Sequence, residues 1–130
     1  MNYKIIDIPK INNTKGNIGV IENNTIPYEI KRVFYLFDVP SGAKRGGHAN
    51  KKTNQVLIAI SGSFDVVLKD GNSKEIITLN RPDKGLLIEN NIWRELENFS
   101  SGSVCLVLAS EEFSEEDYIR SYKEYLSFVK

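Results

Sequence analysis

Short apolar runs separated by turn residues occupy most of the chain. Residues 18–22, 29–39, 55–61, 63–69, 75–79, 86–89, 92–96 and 104–109 are rich in Val, Ile, Leu and aromatics, and several alternate polar with apolar at period two. That pattern predicts strands with one buried face. Asp70-Gly71 lies between the runs Val66-Val67-Leu68 and Ile76-Ile77. Both residues tolerate positive φ, so a hairpin is expected there. Many short strands at this spacing bury their apolar faces only by stacking or closing, which gives a sandwich or barrel. The period changes at the C-terminus. Ser114 precedes Glu115, Glu116 and Asp117, as in a capped helix start. Tyr118, Ile119, Tyr122, Tyr125, Leu126 and Val129 then recur at helical spacing, predicting one amphipathic helix over residues 114–129. Its tyrosines are expected to pack on the barrel or on a partner subunit.

Composition narrows the class. The 130 residues suit one domain spanning residues 1–130, and 17 basic residues balance 17 acidic ones. Without a net positive field, binding to bulk nucleic acid or to an anionic membrane is not expected. Residues 1–8 alternate polar and apolar and resemble neither a signal nor a transit peptide, and no apolar run is long enough to span a bilayer. A cytoplasmic location is therefore expected. The one cysteine, Cys105, sits in an apolar run and reads as a buried, inert thiol.

The stretch with chemistry in it is Arg45-Gly46-Gly47-His48-Ala49-Asn50-Lys51-Lys52-Thr53-Asn54-Gln55, running into an apolar strand that ends at Gly62. Its spacing is that of the first cupin motif: glycine, His-x-His, an acidic residue, and a glycine closing the strand. Here His48 fills the first ligand place, Asn50 the second, and Gln55 the acidic one. The second motif falls on residues 82–98, where Trp93-Arg94 places an arginine at the usual histidine. A metal needs three or four converging His, Cys or carboxylate ligands. With one histidine in the chain and an arginine in the same cavity, no metal cofactor is expected. A lone imidazole, with an ordinary pKa near ~6.5, can still serve as a general base. Lys31-Arg32, Lys44-Arg45, Lys51-Lys52 and Arg94 surround the motif, which favours an anionic ligand with arginines on its phosphates.

These residues resemble the dTDP-sugar 3,4-ketoisomerases, the WxcM-like cupins, whose usual text here is Arg-Gly-x-His-x-His-Lys-Lys. The likeness continues through Ile26-Pro27, Ile30-Lys31-Arg32-Val33, Trp93-Arg94-Glu95 and Asp117-Tyr118-Ile119-Arg120. It implies an all-β, double-sheet β-barrel of the cupin (jelly-roll) type with a C-terminal α-helix. It also implies a homodimer with swapped strands, making deoxysugars for surface glycans. The substrate would be dTDP-4-keto-6-deoxyglucose and the product a dTDP-3-keto-6-deoxyhexose. Base-catalysed proton transfer through an enediolate needs no redox cofactor. The resemblance gives His48 the role of base, with Tyr35 and Arg45 orienting the sugar. It assigns Arg32, Gln55, Trp93, Arg94, Lys15 and Lys51 to substrate or nucleotide contacts.

Asn50 departs from the family, which has a second catalytic histidine there. An amide holds a hydrogen bond but exchanges no proton near neutrality. Either the relay differs from that of relatives or a natural histidine has been replaced, and turnover is expected to be slow or absent. Arg94 resembles the enzymes giving the gluco product, whereas Lys15 resembles those giving the galacto product; gluco is the expectation. Rival readings are a silent sugar-nucleotide-binding cupin, a related sugar-nucleotide epimerase, and a structural partner domain.

Overall fold

The structure is a computed structural model that describes Met1 and residues 3–130. Twelve strands and one α-helix follow in order: β1 (Tyr3–Asp7), β2 (Lys10–Ile11), β3 (Ile18–Gly19), β4 (Arg32–Leu36), β5 (Arg45–Asn50), β6 (Gln55–Ser61), β7 (Phe64–Lys69), β8 (Lys74–Leu79), β9 (Lys84–Ile88), β10 (Trp93–Glu97), β11 (Val104–Ala109), β12 (Tyr118–Ile119) and α1 (Tyr122–Phe128). One antiparallel sheet runs β1-β9-β6-β11-β4; the second runs β12-β5-β10-β7-β8; β2 and β3 form a separate two-stranded ribbon. This is the double-sheet, cupin-like all-β architecture expected.

Period-two alternation decides what each strand contributes. On β6, Leu57 and Ala59 point between the sheets, as do Phe64, Val66 and Leu68 on β7 and Cys105 and Val107 on β11. Val56, Ile58 and Leu108 face the other way and are covered by Ile8, Ile26, Tyr28 and Ile30 from the N-terminal segment. The first sheet is therefore buried on both faces where that segment lies, so β6 reads as a continuous apolar run. Burial pushes the Cys105 thiol up to about 12, in keeping with an inert thiol. The turn between β7 and β8 follows its expectation: Gly71 has φ +95°, and the Asp70 carboxylate accepts from the backbone N–H of Asn72 and Ser73.

The C-terminal segment differs from its reading. Residues 115–117 make a single 3₁₀ turn, Ser114 offers no side-chain cap, and Tyr118–Ile119 pair as β12 with Asn50 and Ala49 of β5. The α-helix begins only after Ser121, whose Oγ accepts from Glu124 N at 3.3 Å. Tertiary bonding overrides local propensity here, because the Asp117 carboxylate is tied into the turn after β5 and cannot lie on a helix face. The tyrosines do pack on the barrel. Tyr122 and Tyr125 lie 5.2 and 5.8 Å from the Trp93 ring, and Tyr125 Oη donates to the carbonyls of Asn91 and Lys69.

Candidate active site

Two rows of residues face each other at one end of the space between the sheets. Across the first sheet, Arg32, Ala109 and Gln55 lie in register. Across the second, His48 is opposite Arg94, which is opposite Leu68. The Arg94 guanidinium joins the rows, donating from Nη1 to Gln55 Oε1 at 2.6 Å and from Nη2 to the Ile92 carbonyl at 3.1 Å. Arg94 is 2 % exposed, and burial lowers its pKa to about 10, so it remains a cation at neutral pH. Among the described residues, Arg94 Nε, Gln55 Nε2 and Arg32 Nε are buried donors without a protein partner. Buried donors ordinarily bond to something, and three of them at one end of the interior suit a ligand rich in oxygen acceptors.

His48 sits beside this cation. Its Nε2 lies 3.1 Å from Asn50 Oδ1, and its ring packs against Tyr118 with centroids 4.8 Å apart. The Tyr118 hydroxyl accepts from Arg32 Nη2 at 2.9 Å, and the Arg32 guanidinium lies over the Phe34 ring. Burial lowers the His48 imidazole to about 3; Arg94 pushes the same way, and the Asn50 hydrogen bond opposes both. The ring is thus neutral at physiological pH, its pKa well below the ordinary imidazole value of 6.5. Behind it, Asn50 Nδ2 donates to Asp117 Oδ2 at 3.0 Å. Asp117 also accepts from Thr53 Oγ1 and from the Lys52 backbone N–H, each at 2.5 Å. Burial alone would raise the Asp117 carboxyl, but these donors hold it below its ordinary value.

Not every residue singled out in the sequence joins this cluster. His48, Asn50, Gln55, Arg94 and Arg32 do. Arg45 is exposed, but the register slip in β5 pairs it with the inward-facing Leu96, on the His48 side. Gly46, at φ +71°, makes that irregularity possible. Tyr35 does not join. It is 59 % exposed on the outer face of β4, because alternation turns it away when Arg32 and Phe34 point inward. Trp93 likewise faces outward, buried among Ala49, Ile119 and Tyr125, with its Nε1 donating to Glu95. Its neighbour Arg94 takes the inward position. Lys15 lies in the exposed turn between β2 and β3. Lys51 lines a neighbouring cleft of about 930 Å³ with Lys31, Lys52, Phe113 and Asp117, where Glu29, Glu111, Glu112 and Glu116 temper the positive charge. Tyr118 and Asp117 belong to the site and had been assigned to the helix; only their place in the quoted family motif signalled otherwise. Among the described residues, no three His, Cys, Asp or Glu side chains converge as metal ligands.

The family model described as FdtA, WxcM-like, C-terminal, matches residues 1–130. The chain belongs to that family. Among FdtA relatives, a TDP-4-oxo-6-deoxy-alpha-D-glucose-3,4-oxoisomerase from Aneurinibacillus thermoaerophilus is 43 % identical over 130 residues, covering 99 % of this chain and 94 % of the relative. A TDP-quinovose 3,4-ketoisomerase from Campylobacter jejuni is 48 % identical with a TM-score of 0.91, over 97 % of this chain and 98 % of its own. A His-to-Asn variant of the Thermoanaerobacterium thermosaccharolyticum 3,4-ketoisomerase, crystallised with TDP-4-keto-6-deoxyglucose, is 41 % identical. It superposes with a TM-score of 0.96 over 98 % of this chain and 94 % of its own.

Proposed function

We propose that this FdtA-family chain is a sugar-nucleotide 3,4-ketoisomerase acting on TDP-4-keto-6-deoxyglucose in the cytoplasm as a single catalytic domain. The observation that carries the reading is the neutral His48 held directly opposite the buried Arg94 cation. A hydrogen on C3, beside the C4 ketone, is acidified by that carbonyl. His48 removes it to give an enediolate, the C3 hydroxyl proton passes to the C4 oxygen, and the His48 imidazolium, after exchange with solvent, returns a proton to C4 and leaves the ketone at C3. The transposition is redox-neutral, so it needs no external oxidant. The developing oxyanion is matched by two unpartnered donors in the same interior, Arg94 Nε and Gln55 Nε2. A base held at about 3 is weak in the free protein. Negative charge arriving with the diphosphate and growing in the enediolate offsets Arg94 and raises it when it must accept a proton. The donor set, one histidine facing an arginine, suits this metal-free route.

The proposal extends to product and assembly. Arg94 and the likeness to the TDP-quinovose enzyme support a gluco-configured product. A homodimer is supported by the outer face of β4 and the residue after it, where Val33, Tyr35 and Phe37 are each more than half exposed, and by the exposed Ile60 on β6. Ile11 and Ile18 on the β2–β3 ribbon are also exposed and could form the exchanged arm. Mixing the protein with TDP-4-keto-6-deoxyglucose and following the sugar by NMR tests the activity. A 3-keto isomer should form, and His48→Gln should abolish it while TDP binding persists. TDP bound tightly with no isomer from the unaltered chain would favour the silent binding module that Asn50 allows. No binding of either would overturn both.

A further inference from the structure

We infer that Asp117, acting through Asn50, is a positioning residue that fixes the tautomer of His48, so that Nδ1 is the atom that receives the substrate proton. The inference rests on the isomerase reading for its consequence in turnover, but not for its geometry. A side-chain amide has two ends, and which end faces an imidazole decides which ring nitrogen must carry the hydrogen. Here the choice is made from behind. An ionised carboxylate only accepts, so the Asn50 group 3.0 Å from Asp117 Oδ2 is the NH₂ end. That leaves Oδ1, an acceptor, 3.1 Å from His48 Nε2. The neutral ring therefore keeps its hydrogen on Nε2, and the lone pair lies on Nδ1.

Asp117 is well suited to hold this choice. Its Oδ2 also takes the Thr53 hydroxyl, its Oδ1 takes the Lys52 N–H, and its own carbonyl accepts from Lys51 N at 2.8 Å. The carboxylate cannot turn away without breaking the turn that follows β5. Burial keeps the ordering intact: Asn50 is fully enclosed and Thr53 nearly so. A backbone hydrogen bond with Gly46 also favours the protonated His48 ring, but it is the smallest of the influences on it, well behind the Asn50 contact. The arrangement also explains how an asparagine can stand where relatives are expected to carry histidine. It moves no proton and still sets the direction in which the base points.

Because His48 is the only histidine, ¹⁵N-histidine labelling gives the signals of one ring in the full chain. Long-range ¹H–¹⁵N correlation at pH 7 should show the hydrogen on Nε2 and a bare Nδ1. In Asp117→Asn the residue can both donate and accept, Asn50 is released, and the population should move toward Nδ1–H. In the serine-protease triad, an Asp→Asn change that leaves the base in the wrong tautomer lowers kcat by about 10⁴-fold. Partial release here should lower kcat by ~10–100-fold with KM within about twofold. Asn50→Leu, which removes the amide outright, should also erase the preference for Nε2–H. A hydrogen on Nδ1 in the unaltered protein overturns the inference, and that reading stands even if a variant fails to fold. An unchanged tautomer in a folded Asp117→Asn protein overturns it too, however slow that variant is. An Nε2–H ring in a protein without isomerase activity would refute the proposed function and leave the relay standing.

Discussion

Acidification perturbs His48 more selectively than any other group, because nothing else in the chain has an ordinary histidine pKa. In the unfolded chain the imidazole has its ordinary pKa of 6.5, and in the folded protein about 3. Between those values the unfolded state binds a proton that the folded state refuses. Stability is therefore fully present above pH 6.5 and falls as the pH drops toward 3, at up to ~1.4 kcal/mol per pH unit from this one group. Between pH 7 and pH 5, where most carboxylates stay ionised, the loss attributable to His48 integrates to about 2 kcal/mol. Urea unfolding curves at pH 7, 6 and 5 for the unaltered protein and for His48→Gln give the comparison. The unaltered protein should lose about 2 kcal/mol more than the variant across that window. Parallel pH profiles would refute the claim that burial and Arg94 keep the ring neutral.

Three other outcomes follow from the same geometry. Arg94→Met removes the cation opposite His48 and should raise the imidazole pKa, read directly by NMR titration of the single ring. Asn50→His restores a second proton-exchanging group beside Asp117 and should raise kcat by about tenfold or more in the NMR turnover assay. Tyr125→Phe deletes a buried hydroxyl bonded to the Asn91 and Lys69 carbonyls; chemical unfolding should show a loss of about 1–2 kcal/mol, with turnover unchanged.

Where apolar periodicity was strong, the sequence located the strands well: β6 and β11 begin and end where the runs do. β5 was read as a motif and not as a strand. Arg45-Gly46-Gly47-His48-Ala49-Asn50 has no apolar period, and its extended state comes from pairing with β10 and β12. The site was legible where residue type and register agreed. His48, Arg94 and Gln55 meet because odd positions of β6 and the even positions His48 and Arg94 face the interior. Tyr35 and Trp93 show the converse. Each adjoins or alternates with an inward-facing residue, so Tyr35 cannot share a face with Arg32, nor Trp93 with Arg94. Applying period two to the candidates themselves would have separated them. Asp117 was hidden for another reason. Its acidic neighbours imitate a helix start, and only the fold reveals that its carboxylate serves a strand more than sixty residues earlier.

The most direct test of the central claim follows the ring hydrogens. With TDP-4-keto-6-deoxyglucose in heavy water, the isomerised sugar should carry deuterium at C4, the carbon that gains the proton, and His48→Gln should yield none. A sugar recovered unchanged and unlabelled after prolonged incubation with the unaltered protein would contradict the account.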